Sequence, residues 1–182
     1  MKYSMSWLKE KAKSGAQLKY IFFWGYTDKN NDRNGKYVFS QWYESPFVVD
    51  GIHYRTSEHW MMSKKALLFG DHASSEKVLQ CIKPAEAKAI GRAVTGYDDD
   101  LWSRHKYEIV KTGNFHKFSQ NENLRQYLLT TDNRIIVEAS PVDAIWGIGM
   151  AQDHKNIMNP NEWRGENLLG FAIMAVRDEL IS

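Results

Sequence analysis

Two charged side chains, Glu58 and Lys65, lie seven residues apart in the mostly apolar segment 57–69. At about 100° per residue, a helix would place both on one face together with Met61 and Met62. A charge inside an apolar stripe costs free energy unless it is paired or has a function. Two interpretations are therefore open: a structural ion pair between Glu58 and Lys65, or two groups that act on a ligand.

The position of Glu58 favours chemistry. Thr56 or Ser57 is expected to cap the helix, which puts Glu58 in the first turn, where the helix dipole stabilises an anion. Seven residues rise about 10 Å along a helix, at the edge of direct reach between Glu58 and Lys65. An ionised carboxylate beside an apolar wall suits a nucleophile, a base or a stabiliser of an oxocarbenium-like centre. We favour the functional interpretation for Glu58 and leave both open for Lys65.

Two further segments hold candidate ligand contacts. Asp143 and Trp146 are three residues apart, and the neighbouring Gly147 would let the backbone approach a ligand closely. Arg92, near a predicted helix end, suits a phosphate, and Trp102 suits stacking on a base. From the residues alone we prefer the plainer interpretation of each, which is a solvated turn aspartate, an exposed arginine and core tryptophans.

The composition excludes several classes of protein. A single cysteine, Cys81, rules out an intramolecular disulfide framework and a cysteine-rich zinc site. The histidines lack metal-binding spacing, and nucleotide-binding, hydrolase-elbow and kinase motifs are absent, so we expect no metal and no cofactor. The net charge of +2 neither demands nor excludes nucleic acid. Because the sequence has no apolar run of transmembrane length and no signal-peptide pattern, we expect a cytoplasmic protein without membrane contact.

Strand patterns come first in the chain and helical patterns follow, which is the order typical of an α+β protein. We predict one mostly helical domain, residues 1–182, with a small N-terminal β region. The predicted strands are 20–26, 37–43, 46–56 with a bend at Asp50-Gly51, and 135–139, with a polar loop at 28–35 and a long loop at 140–166. The predicted helices are 4–14, one starting at Thr56, 73–82, 84–94, 98–117, 119–130 and 167–180, the last of them capped by Asn167.

These segments, in this order, resemble the NADAR family, the YbiA-like N-glycosidases, over about residues 21–180, with 1–19 as an N-terminal helical extension. TSEHWMMSKKA resembles the T-S-E-H-x-x-x-x-x-K segment of the family, with Glu58 and Lys65 in the matching places. FSQWYESPF corresponds to the family's F-S-N-F segment, but Gln41 stands where asparagine is usual. The other matches in order and approximate spacing are GR at 91–92, Trp102, D-x-x-W-G at 143–147 and N-L-L-G at 167–170.

The resemblance implies an α+β, mostly helical fold with a cleft in which a ribosyl C1′–N bond is cleaved. By position, Glu58 and Asp143 become the catalytic carboxylates, with Lys65 beside them. The expected substrate contacts are Arg92, Trp102, Trp146, Gly147 and Asn167, together with the aromatic residues Phe23, Trp24 and Phe39 of the N-terminal half, which would hold an adenine-containing ligand.

The chemistry of such a bond agrees with these residue types. Positive charge develops on C1′ as the bond breaks, and an ionised carboxylate stabilises it. A second acid can protonate the departing nitrogen, or Lys65 can attack C1′ to form a Schiff base. The favoured substrate is ADP-ribosylated guanine in nucleic acid, with phosphoribosylamino-pyrimidine intermediates of riboflavin synthesis as the alternative. A non-catalytic module that binds ADP-ribose or NAD is the alternative of another class, and a monomer is expected.

Overall fold

The computed structural model describes residues 1–27 and 35–181. Most of the polar loop predicted at 28–35 lies outside the described residues. The helices are α1 (Met5–Lys13), α2 (Ser57–Leu68), α3 (His72–Gln80), α4 (Pro84–Arg92), α5 (Asp99–Gln120), α6 (Glu122–Leu129) and α7 (Leu168–Ile181). The strands are β1 (Tyr20–Phe23), β2 (Phe47–Val49), β3 (Ile52–Tyr54) and β4 (Ile135–Glu138). The predicted α+β, mostly helical fold class is confirmed.

The chain forms two compact units, of which the first comprises Met1–Ser40 and Asn123–Ser182. Its strands β1 and β4 pair in parallel, with Tyr20 opposite Ile135 and Phe23 opposite Glu138. The first three residues of β4 are β-branched and buried, as expected for a strand covered on both faces. Helix α7 packs against β4 and is buried along most of its length.

The second unit, Gln41–Glu122, begins with a β-hairpin and continues as four helices. Strands β2 and β3 pair antiparallel through Asp50 and Gly51, whose φ angles are 51° and 77°. Two successive positive φ values are typical of the two-residue turn that matches the twist of a hairpin. The bend predicted at this dipeptide is thus a complete reversal between two strands.

Helix α2 is the centre of the second unit, where it packs against α3, α4 and α5. Two glycines permit this packing, because a Cβ at Gly113 would overlap Trp60 and a Cβ at Gly91 would overlap Met62. The Trp60 indole Nε1 also donates a hydrogen bond of 2.8 Å to the carbonyl of Ile109 on α5. The neighbouring helices therefore hold α2 at close range, as its apolar surface predicts.

The strand predicted at 37–43 is wrong. Residues Lys36–Phe39 form a short 3₁₀ helix in which Val38 and Phe39 are buried. Aromatic and β-branched residues indicated burial there, but burial is compatible with either conformation. The strand predicted at 20–26 ends early, at Phe23, and the predicted helices agree with the observed ones to within about three residues. No helix in the described part of the chain is long and apolar enough to span a membrane.

Candidate active site

Glu58 is the second residue of α2, and its side chain is only 2% exposed. Thr56, one of the two predicted candidates, is the N-cap, and its Oγ1 accepts a hydrogen bond from the His59 amide. The Glu58 amide donates to the carbonyl of Gln41 at 3.0 Å. The backbone of Glu58 is thus held in the first turn of α2, where the helix dipole stabilises a negative charge.

The cap of α2 is reinforced by the buried His59. One ring nitrogen, Nε2, lies 3.2 Å from the carbonyl oxygen of Cys81, and the other, Nδ1, lies 2.8 Å from Thr56 Oγ1. Since a carbonyl only accepts, Nε2 carries the proton, and in a neutral ring Nδ1 accepts from the Thr56 hydroxyl. Burial lowers the pKa of His59, with a smaller contribution from the charge of Arg55, which favours this neutral form. The chain around Glu58 is therefore held by a defined network.

Lys65 lies two turns further along the same face of α2 and is half-buried. Its Nζ donates a hydrogen bond of 2.9 Å to the carbonyl of Gly91. The same atom lies 4.5 Å from the ring centroid of Tyr97 and 5.5 Å from that of Trp102. Burial lowers the pKa of Lys65, and the positive charge of Arg92 lowers it further. Among the described residues no ion pair joins Lys65 to Glu58, so the structural-pair interpretation has no support.

Lys65, Arg92, Tyr97 and Trp102 form what we call the Lys65 cluster. Arg92 is the last residue of α4 and is exposed, Trp102 lies near the start of α5, and the Tyr97 side chain is 46% exposed. Three of the four were candidates from the sequence. Tyr97 was missed, because an aromatic residue in a short loop between two helices has no periodic pattern that links it to Lys65.

Asp143, in the first unit, is engaged in the shape of its own loop. Its Oδ1 accepts hydrogen bonds from the amides of Ile145 at 2.9 Å and Trp146 at 2.8 Å. This is a local turn closed by a side-chain oxygen, which is a common use of aspartate. Trp146 is half-buried, and a Cβ at Gly147 would lie 2.8 Å from the carbonyl oxygen of Glu138. The glycine is therefore explained by close packing of the backbone.

Asn167 is fully buried just before α7, with a φ of 53°. Its Oδ1 accepts from the amide of Glu138 at 3.0 Å, and its Nδ2 donates to the carbonyl of Ile136 at 2.9 Å. Asn167 thus occupies the predicted cap position, but its side chain completes the hydrogen bonding of β4 instead of capping α7. Both polar atoms of the amide are used in the fold.

The three N-terminal aromatic candidates have different environments. Phe23 and Phe39 are buried, at 1% and 0% exposure, and their ring centroids lie 5.6 Å apart. Packing in the core accounts for both rings without a ligand. Trp24, by contrast, is 59% exposed and accessible to solvent.

Comparison with known proteins identifies the class. The NADAR domain family model matches residues 22–181. The chain is 42% identical to N-glycosidase R617 of Acanthamoeba polyphaga mimivirus, over 88% of this chain and 96% of that protein. It is 30% identical to N-glycosidase YbiA of Escherichia coli (strain K12), over 78% of this chain and 80% of that protein. Protein irg-1 of Caenorhabditis elegans is 35% identical, over 79% of this chain and 75% of that protein.

The fold agrees with this assignment. The NMR structure of the E. coli protein YbiA matches with a TM-score of 0.72 and 28% sequence identity, covering 91% of this chain and 87% of that one. The chain belongs to the NADAR family. It is an enzyme of the N-glycosidase class, a hydrolase that cleaves a glycosidic C–N bond.

Proposed function

We propose that this N-glycosidase removes ADP-ribose from ADP-ribosylated guanine in nucleic acid by cleaving the C1′–N bond between the ribose and the base. The observation that carries the proposal is the arrangement on one face of α2. A buried carboxylate, Glu58, lies at the positive end of the helix, and an amine, Lys65, lies two turns away in an aromatic and cationic setting.

In this proposal Glu58 stabilises the charge that appears on the sugar. Breaking the C1′–N bond leaves positive charge on C1′ and the ring oxygen, and a carboxylate fixed nearby lowers the barrier. The cap formed by Thr56 and the hydrogen bond to the Gln41 carbonyl hold the backbone of Glu58, which limits the reorganisation that the reaction requires.

Lys65 supplies the nucleophile. It is partly desolvated and close to a second cation, which are two ways of making a lysine amine reactive near neutral pH. The Nζ lone pair forms a bond to C1′ while the electrons of the C1′–N bond remain with the guanine nitrogen, which takes the proton that Nζ releases. Opening of the ribose ring gives a Schiff base, and water then adds to C1′ and returns Lys65 to its amine.

The rest of the Lys65 cluster supports the choice of an ADP-ribosyl substrate. Such a group carries two phosphates and an adenine, so it offers two anions and a large aromatic face. Arg92 provides a cation suited to phosphate, and Tyr97 and Trp102 provide two rings suited to stacking. A phosphoribosylamino-pyrimidine has one phosphate and one small ring, and it would use less of this surface. In this proposal Asp143 has no catalytic function, and its side chain closes the turn at Ile145 and Trp146.

The first test is an assay of both substrates with a matched pair of variants. Glu58→Gln should lower turnover of an ADP-ribosyl-guanine oligonucleotide by about 10²- to 10³-fold, since it removes one charge from a preorganised site. Glu86→Gln changes an exposed glutamate in the first turn of α4 and should leave turnover unchanged. Turnover of the phosphoribosylamino-pyrimidine alone would show that the proposed substrate is wrong. Binding of ADP-ribose without turnover of either compound would favour a non-catalytic binding module.

The second test concerns Lys65. Borohydride added during turnover should reduce the Schiff base and attach the sugar to Lys65, which peptide mass spectrometry locates. Lys64→Arg, on the neighbouring residue over the Trp60 ring, should still give the adduct, whereas Lys65→Arg should not. Full turnover with no adduct in the wild type would show that Lys65 acts only through its charge.

A further inference from the structure

Gln41 is a buried amide whose orientation is fixed by its neighbour on α5. Its side-chain Nε2 donates to Asn114 Oδ1 at 3.2 Å, and Asn114 Nδ2 donates to the carbonyl of Val110 at 2.8 Å. Because Asn114 uses its NH₂ group on that carbonyl, its oxygen must accept, so the NH₂ of Gln41 points to Asn114. The Gln41 Oε1 oxygen therefore points away from this contact.

That oxygen is buried and has no hydrogen-bond partner among the described residues, and Gln41 as a whole is 8% exposed. A buried acceptor without a donor is destabilising, and native structures contain few of them. Within the described residues, the Nε2 side of the Gln41 amide has a hydrogen-bond partner and the Oε1 side has none. A hydrogen-bond donor on a bound ligand would satisfy Oε1.

The location of Gln41 indicates which ligand atom is near. Its own carbonyl accepts the hydrogen bond from the Glu58 amide, so its backbone is in direct contact with the first turn of α2. Both side chains therefore start from one hydrogen-bonded pair of residues. The atom that Glu58 stabilises in the proposed reaction is C1′, and the hydroxyl nearest to C1′ is the one on C2′.

We propose that Gln41 Oε1 accepts a hydrogen bond from the 2′-hydroxyl of the ribose whose C1′ is attacked, an assignment that rests on the proposed function. A hydroxyl that donates to an acceptor holds more electron density on its oxygen. Such hydrogen bonds to the 2-hydroxyl strengthen as positive charge develops on the sugar ring. Gln41 is thus a specificity-determining residue as well as a ligand contact.

This contact would select the correct bond in a DNA substrate. An ADP-ribosylated guanine in DNA has two sugar–nitrogen bonds, one to the ribose of ADP-ribose and one to the deoxyribose of the strand. Only the first sugar has a 2′-hydroxyl. Binding the deoxyribose would leave Gln41 Oε1 without a donor, and a buried polar group left unpaired is a strong basis for rejecting a ligand. The enzyme would therefore remove the ADP-ribose and leave the strand intact.

The test compares ribose 5-phosphate with 2-deoxyribose 5-phosphate by titration calorimetry, which requires no catalysis. The wild type should bind the ribose compound about 10-fold more tightly, the effect of one hydrogen bond to a buried acceptor. Gln41→Met keeps the length of the side chain without its amide and should bind both compounds equally. Asn114→Ala, which removes the same neighbour contact but keeps Oε1, should retain the preference for ribose.

The readout is the ratio of two affinities, so a general loss of structure, which weakens both ligands alike, does not imitate the expected result. An unchanged ratio in Gln41→Met would overturn the assignment, and so would a wild type that binds neither compound. A ribose preference that depends on Gln41, in a protein that hydrolyses no ADP-ribosyl-guanine, would instead show that the proposed function is wrong and the contact correct.

Discussion

At the scale of single residues, Glu58 and Lys65 are opposite charges that share a helix face without forming a pair. The two groups lie in different surroundings. Glu58 lies in the first turn of α2, and Lys65 contacts the Gly91 carbonyl and two aromatic rings. Pairs of ionisable groups kept in contrasting environments are typical of acid, base and nucleophile sets in enzymes.

The pH profile of the enzyme should depend on Arg92. The charge of Arg92 contributes to the lowered pKa of Lys65, so Arg92→Gln should raise that pKa towards its ordinary value. At a given pH less of the amine is then neutral, and the rise of kcat with pH should move to higher pH. Arg104→Gln, at an exposed position on α5, serves as the control. A profile that stays in place or moves to lower pH would contradict the nucleophilic function of Lys65.

Helical periodicity was enough to place Glu58 and Lys65 on one face, because both lie on the same element. It could not show the contact of Lys65 with Tyr97, nor the orientation of the Gln41 amide. Those facts depend on how separate segments pack. The same limit applies to Phe23, whose sequence context is equally compatible with a core ring and with a ligand contact.

At the scale of elements, the long segment 140–166 is organised by side chains that bind backbone groups. Asp143 closes a turn within it, and Asn167 joins its end to β4. Both residues belong to motifs that resemble the family's, and the structure supplies a folding reason for each of them. The strand predicted at 37–43 failed for a related reason, since composition indicates burial more reliably than conformation.

Substitutions of Asn167 should separate its two contributions to stability. Asn167→Gly and Asn167→Ala both lose the two hydrogen bonds to β4, at a cost of about 1 kcal/mol each. Alanine also has to adopt the positive φ, which costs about 1 kcal/mol more than for glycine. Urea denaturation should therefore give the order wild type, Gly, Ala from most to least stable. An alanine variant as stable as the glycine variant would contradict this account.

At the scale of the whole molecule, the burial of Lys117 on α5 makes the stability of the fold depend on pH. Its side chain is fully buried near the rings of Tyr43 and Phe118, and desolvation lowers its pKa from 10.5 to about 7. Between about pH 7 and 10.5 the folded chain holds Lys117 neutral while the unfolded chain binds a proton there. Stability therefore rises with pH across this interval, and below it the full cost remains.

Lys117→Met should remove that dependence. The free energy of unfolding of the variant should exceed that of the wild type most at pH 7 and below, and the difference should shrink by at most about 1.4 kcal/mol per pH unit as the pH rises. Urea denaturation at several pH values measures this difference in the free energy of unfolding. The control variant is Lys106→Met, which replaces a half-buried lysine on the same helix. A difference that grows with pH would contradict the sign of the effect.

The central claim is that this NADAR enzyme breaks the bond between ADP-ribose and guanine, and product masses test it most directly. A defined oligonucleotide with one ADP-ribosylated guanine is incubated with the enzyme, and both products are weighed by mass spectrometry. The account predicts free ADP-ribose and a strand whose guanine is restored. An abasic strand, from cleavage of the deoxyribose bond, or an unchanged substrate in the presence of active folded enzyme would contradict it.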